Sequence, residues 1–166
     1  ADKGQGTVTY TCKKVGTSAS DGFFSLASFG GALYAGQFGY GFESQSMLYR
    51  YPPWGQVTPG LVGIGESVCA LRGFGGAFYA NTEHSGDIFR STDGSTWTRI
   101  HDGRDGVIGC GLAELGGTLY AVNYDYQRSK NGKVLRLQGG AFSTVFDSAA
   151  RPLYLREIVS YKGKLY

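Results

Sequence analysis

The chain has 166 residues and a formal net charge of +3, from 16 basic and 13 acidic side chains. That length suffices for one domain with its own core. The mild, scattered charge, with no basic run beyond Lys13-Lys14, argues against a nucleic-acid interface. The 28 glycines lack a three-residue period, which excludes collagen, and 12 Tyr with 10 Phe exclude a disordered chain. No apolar run is long enough to span a bilayer.

One hexapeptide pattern organises the chain. Phe29-Gly30-Gly31-Ala32-Leu33-Tyr34 returns as Phe74-Gly75-Gly76-Ala77-Phe78-Tyr79 and as Leu115-Gly116-Gly117-Thr118-Leu119-Tyr120. Tyr161-Lys162-Gly163-Lys164-Leu165-Tyr166 is a fourth copy. The second glycines are separated by 76−31 = 45, 117−76 = 41 and 163−117 = 46 residues. A period in the low forties with strand-like segments around a glycine turn predicts a β-propeller of four-stranded antiparallel blades.

The repeat sets the register of four strands per blade, a to d. In chain order, Thr7–Val15 reads as a lone outer strand d, with Cys12 in the slot that an aromatic residue fills elsewhere. Strand a then carries Leu26, Leu71, Leu112 or Ile158 before each turn. Strand b follows as Leu33-Tyr34-Ala35, Phe78-Tyr79-Ala80, Leu119-Tyr120-Ala121 and Leu165-Tyr166. These triplets do not alternate apolar with polar, as expected of strands packed on both faces. Strand c is Leu48-Tyr49-Arg50, Ile88-Phe89-Arg90 and Val134-Leu135-Arg136. Strand d is Trp54–Val57, Trp97–Ile100 and Phe142–Val145. The blades are therefore placed near 22–57, 66–100, 107–146 and 153–166 of one domain. Residues 7–15 would complete the last blade and close the ring, leaving few free edges. The fourth blade lacks strand c, so the expectation is a fragment of a longer propeller, or a natural end that a partner chain completes.

Ser91-Thr92-Asp93-Gly94-Ser95-Thr96-Trp97 joins strands c and d of the second blade. It resembles the Asp-box of bacterial neuraminidase repeats, one residue shorter than the commonest form. The resemblance is at the level of the blade pattern and implies a structural role: Ser91, Asp93 and Gly94 shape the turn, and Trp97 enters the blade core. The other blades depart from it, with Tyr51-Pro52-Pro53-Trp54 and Leu137-Gln138-Gly139-Gly140 at the same place.

Propeller ligands generally bind on the face that carries the b–c and d–a connections. Two of the three b–c loops are long and collect aromatic and hydrogen-bonding side chains, and loops on a rigid scaffold are where function concentrates. Tyr40, Tyr124, Asp125, Tyr126 and Arg128 are the expected ligand-binding residues, because aromatic faces stack on sugar C–H faces while polar groups hold hydroxyls. Sialidase chemistry, as the resemblance implies it, uses three arginines, a Tyr–Glu pair and an Asp. Arg72, Glu114, Arg156 and Glu157 lie on strands a but do not form a clear set, so no catalytic residue is assigned.

Cys69 and Cys110 occupy equivalent positions before their turns (76−69 and 117−110 are both 7), so they either face each other across a blade interface and form a disulfide or sit as small buried residues, and two buried thiols are the expectation. No CxxC or Cys/His spacing suggests a metal, and His84 and His101 fall in different loops, so no metal or other cofactor is expected. Ala1 reads as a mature N-terminus left by signal cleavage or as an artificial edge. The leading expectation is a secreted, extracellular, non-enzymatic protein that binds glycans in a lectin-like manner. The alternatives are a protein-interaction or structural scaffold of an extracellular assembly, with self-association through the incomplete fourth blade, and a sialidase-like glycoside hydrolase fragment.

Overall fold

A computed structural model describes residues 13–17, 22–39, 45–62, 64, 66–103, 107–127, 131–149 and 153–166. These form strands and turns with no helix. Sheet I contains β1 (Gly22–Phe29), β2 (Ala32–Phe38), β3 (Leu48–Tyr51) and β4 (Gly55–Gln56). Sheet II contains β5 (Val68–Phe74), β6 (Ala77–Thr82), β7 (Ile88–Ser91) and β8 (Thr98–His101). Sheet III contains β9 (Val107–Leu115), β10 (Thr118–Asp125), β11 (Gly132–Gln138) and β12 (Ala141–Asp147). A final hairpin, sheet IV, pairs β13 (Ser160–Tyr161) with β14 (Lys164–Leu165). Every ladder is antiparallel and each sheet runs in chain order.

The a–b connections are two-residue hairpins. Both central residues have positive φ in all four: 56° and 76° at Gly30-Gly31, 56° and 74° at Gly75-Gly76, 58° and 72° at Gly116-Gly117, and 46° and 74° at Lys162-Gly163. This is the turn whose own twist matches that of the flanking strands, and glycine enters it without a Cβ clash. Lys162 holds the same conformation with a side chain.

Three apolar clusters lie between successive sheets. Tyr34, Leu48, Leu71, Phe78 and Ala80 join sheets I and II. Ala77, Tyr79, Leu112, Leu119 and Phe142 join II and III. Ala113, Val122 and Ile158 join III to the segment that enters sheet IV. Strand β6 shows why its residues are apolar without alternation. Phe78 and Ala80 point into the first cluster, and Ala77 and Tyr79 into the second. Each large side chain buried in this way stabilises by roughly 1.5–3 kcal/mol. Sheet I has no such partner on its other side among the described residues. Its Leu26 is 66% exposed and Leu33 39%, so the expected burial of both faces fails there.

The three complete sheets overlap the strand positions expected from the repeat, with β2 and β10 running three and four residues past their b triplets, whereas Arg156, Glu157 and Ile158, expected on strand a of the last blade, precede β13 and lie in no strand. The N-terminal strand is different. Residues 7–12, including Cys12, lie outside the described residues. Lys13–Thr17 form no strand. Instead Trp54 Nε1 donates to the Thr17 carbonyl at 2.8 Å, and Gly16 lies against the Trp54 indole, where a Cβ would collide with the ring. The absence of a side chain at Gly16 lets this backbone sit on sheet I. Among the described residues no strand pairs sheet IV with sheet I.

Candidate functional site: a cavity at the loop end

The first strands of the sheets lie side by side, β1 against β5 and β5 against β9, with β13 and β14 also against β9. Each of the three long ones carries a β-bulge near its start. The register slips between Phe23 and Ser25, between Val68 and Ala70, and opposite Val122 and Asn123, where Gly109 and Gly111 flank the extra residue. The residues left out of the ladders are Phe24, Cys69 and Cys110. A bulge bends its strand and re-aims one side chain. All three stand 7 residues before the second glycine of their turns, and so does Arg156 (31−24, 76−69, 117−110 and 163−156). These four repeat-equivalent residues, with Glu157, line one cavity of about 200 Å³.

Close packing keeps the strands together beneath it. A Cβ on Gly111 would press on the Ile158 backbone nitrogen at 2.8 Å, so glycine is what permits this approach. Ser25 Oγ donates to the Val68 carbonyl at 2.9 Å, tying β1 to β5. Asn81 Nδ2 lies 3.3 Å from Asn123 Oδ1, and Asn123 Nδ2 donates to the Gly86 carbonyl at 3.0 Å. These buried amides join sheets II and III under the loops.

The chemistry of the cavity is carried by two free, half-buried thiols. Cys69 and Cys110 stand on neighbouring inner strands and line the same cavity, with no disulfide between them. The Cys110 sulfur and burial push the Cys69 thiol well above the usual range, while Cys69 and the Arg156 charge hold Cys110 below it. The Arg156 guanidinium lines the same cavity, and its charge favours the Cys110 thiolate. Glu83 opposes ionisation of both thiols. It is buried, and its Oε2 has no hydrogen-bond partner among the described residues.

An aromatic shelf adjoins the cavity. Tyr124 and Tyr154 meet edge to face with ring centroids 4.2 Å apart, and the Arg156 guanidinium lies over the Tyr154 ring at 5.6 Å. Further out, Tyr126 Oη is 3.3 Å from His84 Nδ1, and Gln127 Nε2 donates to the same hydroxyl at 3.1 Å. His84 holds a positive φ of 71°, uncommon for a residue with a side chain. Asp125 accepts from the Gln127 amide at 3.1 Å, so one carboxylate oxygen shapes its own turn.

Of the residues expected to bind ligand, Tyr124 stands beside Arg156 through Tyr154, and Tyr126 stands with His84. Tyr40 and Arg128 lie outside the described residues. Phe24, Tyr154 and the pairing of His84 with Tyr126 were not anticipated. The spacing of 7 that matched the two cysteines extends to Phe24 and Arg156, and would have found both. Arg72 does not join Arg156. It lines a different cavity with Leu26, Ala27 and Ser28.

A second cavity of about 280 Å³ lies between Ile64, Glu66, Ser85, Asp87, Phe89 and Arg99. Burial pushes the Glu66 carboxyl above its ordinary range, although Ser85 donates to it through its hydroxyl at 2.8 Å and its amide at 3.3 Å. Asp87 is held by Arg99 at 3.0 Å and by the Gly103 amide at 3.0 Å. Among the described residues, no group of three or more His, Cys, Asp or Glu side chains is placed to hold a metal ion. No described helix is long and apolar enough to cross a membrane.

The Ser91–Trp97 turn sits at the opposite end of the sheets and is built as a local hydrogen-bond cage. Asp93 Oδ1 accepts from the Ser95 and Thr96 amides at 2.8 and 2.7 Å and from Ser91 Oγ at 2.9 Å. Ser91 Oγ accepts from the Gly94 amide at 2.8 Å. The donors from Thr96, Ser95 and Ser91 hold the Asp93 carboxyl far below its ordinary range. Gly94 has a φ of 77°, and a Cβ there would meet the Tyr34 hydroxyl of sheet I. Trp97 packs on Phe78 with centroids 5.4 Å apart. No family model matches the sequence, and no curated protein matches it significantly.

Proposed function

We propose that the chain is a β-propeller binding module that takes a carbohydrate at its loop end, and that it acts outside the cell without catalysis. The observation that carries this reading is the Tyr124–Tyr154 pair beside Arg156, which itself lines the cavity of four repeat-equivalent residues. A ring arrangement is supported by the inner strands lying side by side and by the convergence on one cavity of one position from each of sheets I to III and one from the segment that enters sheet IV. The Ser91–Trp97 cage supports kinship with Asp-box propellers, in which that turn is architecture.

The recognition chemistry follows from the side chains. Flat tyrosine faces offer apolar contact to sugar C–H groups, and their edges remain polar. Arg156 and Glu157 offer donors and acceptors for hydroxyls at the cavity. A shallow site of this kind binds weakly alone and gains by avidity when several ligands are presented together. A glycan array followed by calorimetry tests the reading. Binding that is lost in Tyr124→Ala and Tyr154→Ala supports it. No binding at sugar concentrations of about 1 mM, equivalent to roughly −4 kcal/mol, removes it.

A second reading, an extracellular protein-interaction scaffold, rests on the apolar surface around sheet IV, where Val159 is 50% exposed, Tyr161 59% and Tyr166 65%. Self-association through this surface would raise the solution mass with concentration. A monodisperse monomer counts against it.

A further inference from the structure

We propose that Cys69 and Cys110 are a reversible dithiol–disulfide pair that reacts with hydroperoxides in the axial cavity, with Cys110 as the attacking sulfur and Cys69 as the resolving thiol. The inference does not depend on the ligand being a sugar.

Three observations carry it. The two sulfurs are projected by equivalent β-bulges on neighbouring inner strands, so backbone geometry rather than loop mobility brings them to one cavity. They are unbridged and only half-buried, on the wall of one cavity that admits a small oxidant. They also differ in surroundings: burial disfavours the Cys69 thiolate, and the Arg156 guanidinium on the same cavity wall favours that of Cys110. The thiolate is the nucleophile in thiol oxidation, and a neighbouring guanidinium is a recognised way to favour it.

The chemistry balances. The Cys110 thiolate attacks one oxygen of a hydroperoxide. An S–O bond forms, the O–O bond breaks, and the leaving alkoxide or hydroxide takes a proton from solvent. Cys110 is oxidised to the sulfenic acid and the peroxide is reduced. The Cys69 sulfur then attacks Cys110 Sγ. The S–S bond forms, the S–O bond breaks, and the departing hydroxide leaves as water with the Cys69 proton. A thiol reductant reverses the bridge by exchange.

The bridge would link β5 of sheet II to β9 of sheet III and remove the sulfur anion that Arg156 favours. The guanidinium would then be free to hold a ligand in the same cavity. Oxidation would thus change the charge and the donors at the proposed binding site.

The experiment uses the full chain with Cys12→Ser, treated with hydrogen peroxide and mapped as non-reduced peptides. The expected result is a peptide joining Cys69 to Cys110 that disappears on reduction. Adding Cys69→Ser should leave Cys110 as a sulfenic acid that a dimedone probe traps, and adding Cys110→Ser should abolish dimedone labelling. Arg156→Gln should slow bridging about tenfold, the effect of raising a thiol pKa by one unit. Absence of the bridged peptide in the folded protein overturns the proposal, and equal labelling in the two serine variants overturns the roles. Because the readout is a covalent product, its failure leaves the sugar-binding test untouched, and the reverse also holds.

Discussion

At the hairpin end, four copies of one turn repeat the same pair of left-handed residues, and three copies use the same two glycines. At the loop end, the four residues at one repeat position are Phe24, Cys69, Cys110 and Arg156. In the three complete sheets both ends belong to the same strands. The difference lies in what the backbone demands. A tight hairpin between twisted strands permits few φ/ψ combinations, so the turn can hardly vary. A bulge fixes only where a side chain points and leaves its chemistry free. The structure therefore separates a conserved geometry from a variable surface within each sheet, and the variable surface is where the thiols, the guanidinium and the tyrosines gather.

The comparison breaks if a scaffold substitution proves harmless. Phe78→Ala should be the most damaging, at about 3–5 kcal/mol. Phe78 is fully buried and packs on Phe29, Tyr34 and Trp97, joining sheet I to sheet II. A shift of the urea midpoint with an unchanged slope measures it. Gly94→Ala comes next, at about 2–3 kcal/mol. It combines a left-handed φ with a Cβ driven into the Tyr34 hydroxyl.

The Asp93 cage tests the same end through pH. Its folded carboxyl is depressed below the ordinary aspartate value near 3.8. A depressed carboxylate contributes stability that is fully present above the unfolded pKa and is lost as pH falls through the folded value. Asp93→Asn keeps an acceptor for the Ser95 and Thr96 amides but cannot titrate. The variant should therefore lose less stability than the parent when the pH falls below about 4, as read from urea midpoints across that range. Parallel acid limbs in the two proteins would sink the assignment.

The loop end should respond in the opposite way. Tyr124→Ala and Arg156→Ala should change stability by less than about 1 kcal/mol while abolishing sugar binding, since Tyr124 is only half-buried and Arg156 is exposed. The smallest effect belongs to Lys133→Ala. Its 3.8 Å pair with Asp147 is exposed on both sides, and such a pair is worth about 0–0.5 kcal/mol, a fraction that salt screens further. If either loop-end change costs as much as Phe78→Ala, the division between scaffold and surface does not hold.

Local patterns determined most of the fold. The Gly-Gly hairpins, the apolar b strands and the aromatic that opens strand d are signals of short range, and each reports a backbone state or a burial that its own neighbours impose. They located the three complete sheets and the Ser91–Trp97 turn. They also placed Cys69 and Cys110 at matching positions, because a repeat is a register that sequence carries in full. Tertiary structure decided the rest. Whether Leu26 was covered depended on a neighbour that sheet I lacks among the described residues. Whether the thiols shared a cavity depended on two bulges, which a linear spacing does not reveal. That Arg156 reached the cysteine cavity and Tyr154, while Arg72 faced another cavity, depended on how the inner strands converge. Those are contacts between residues far apart in the chain, and only packing of one sheet on the next brings them together.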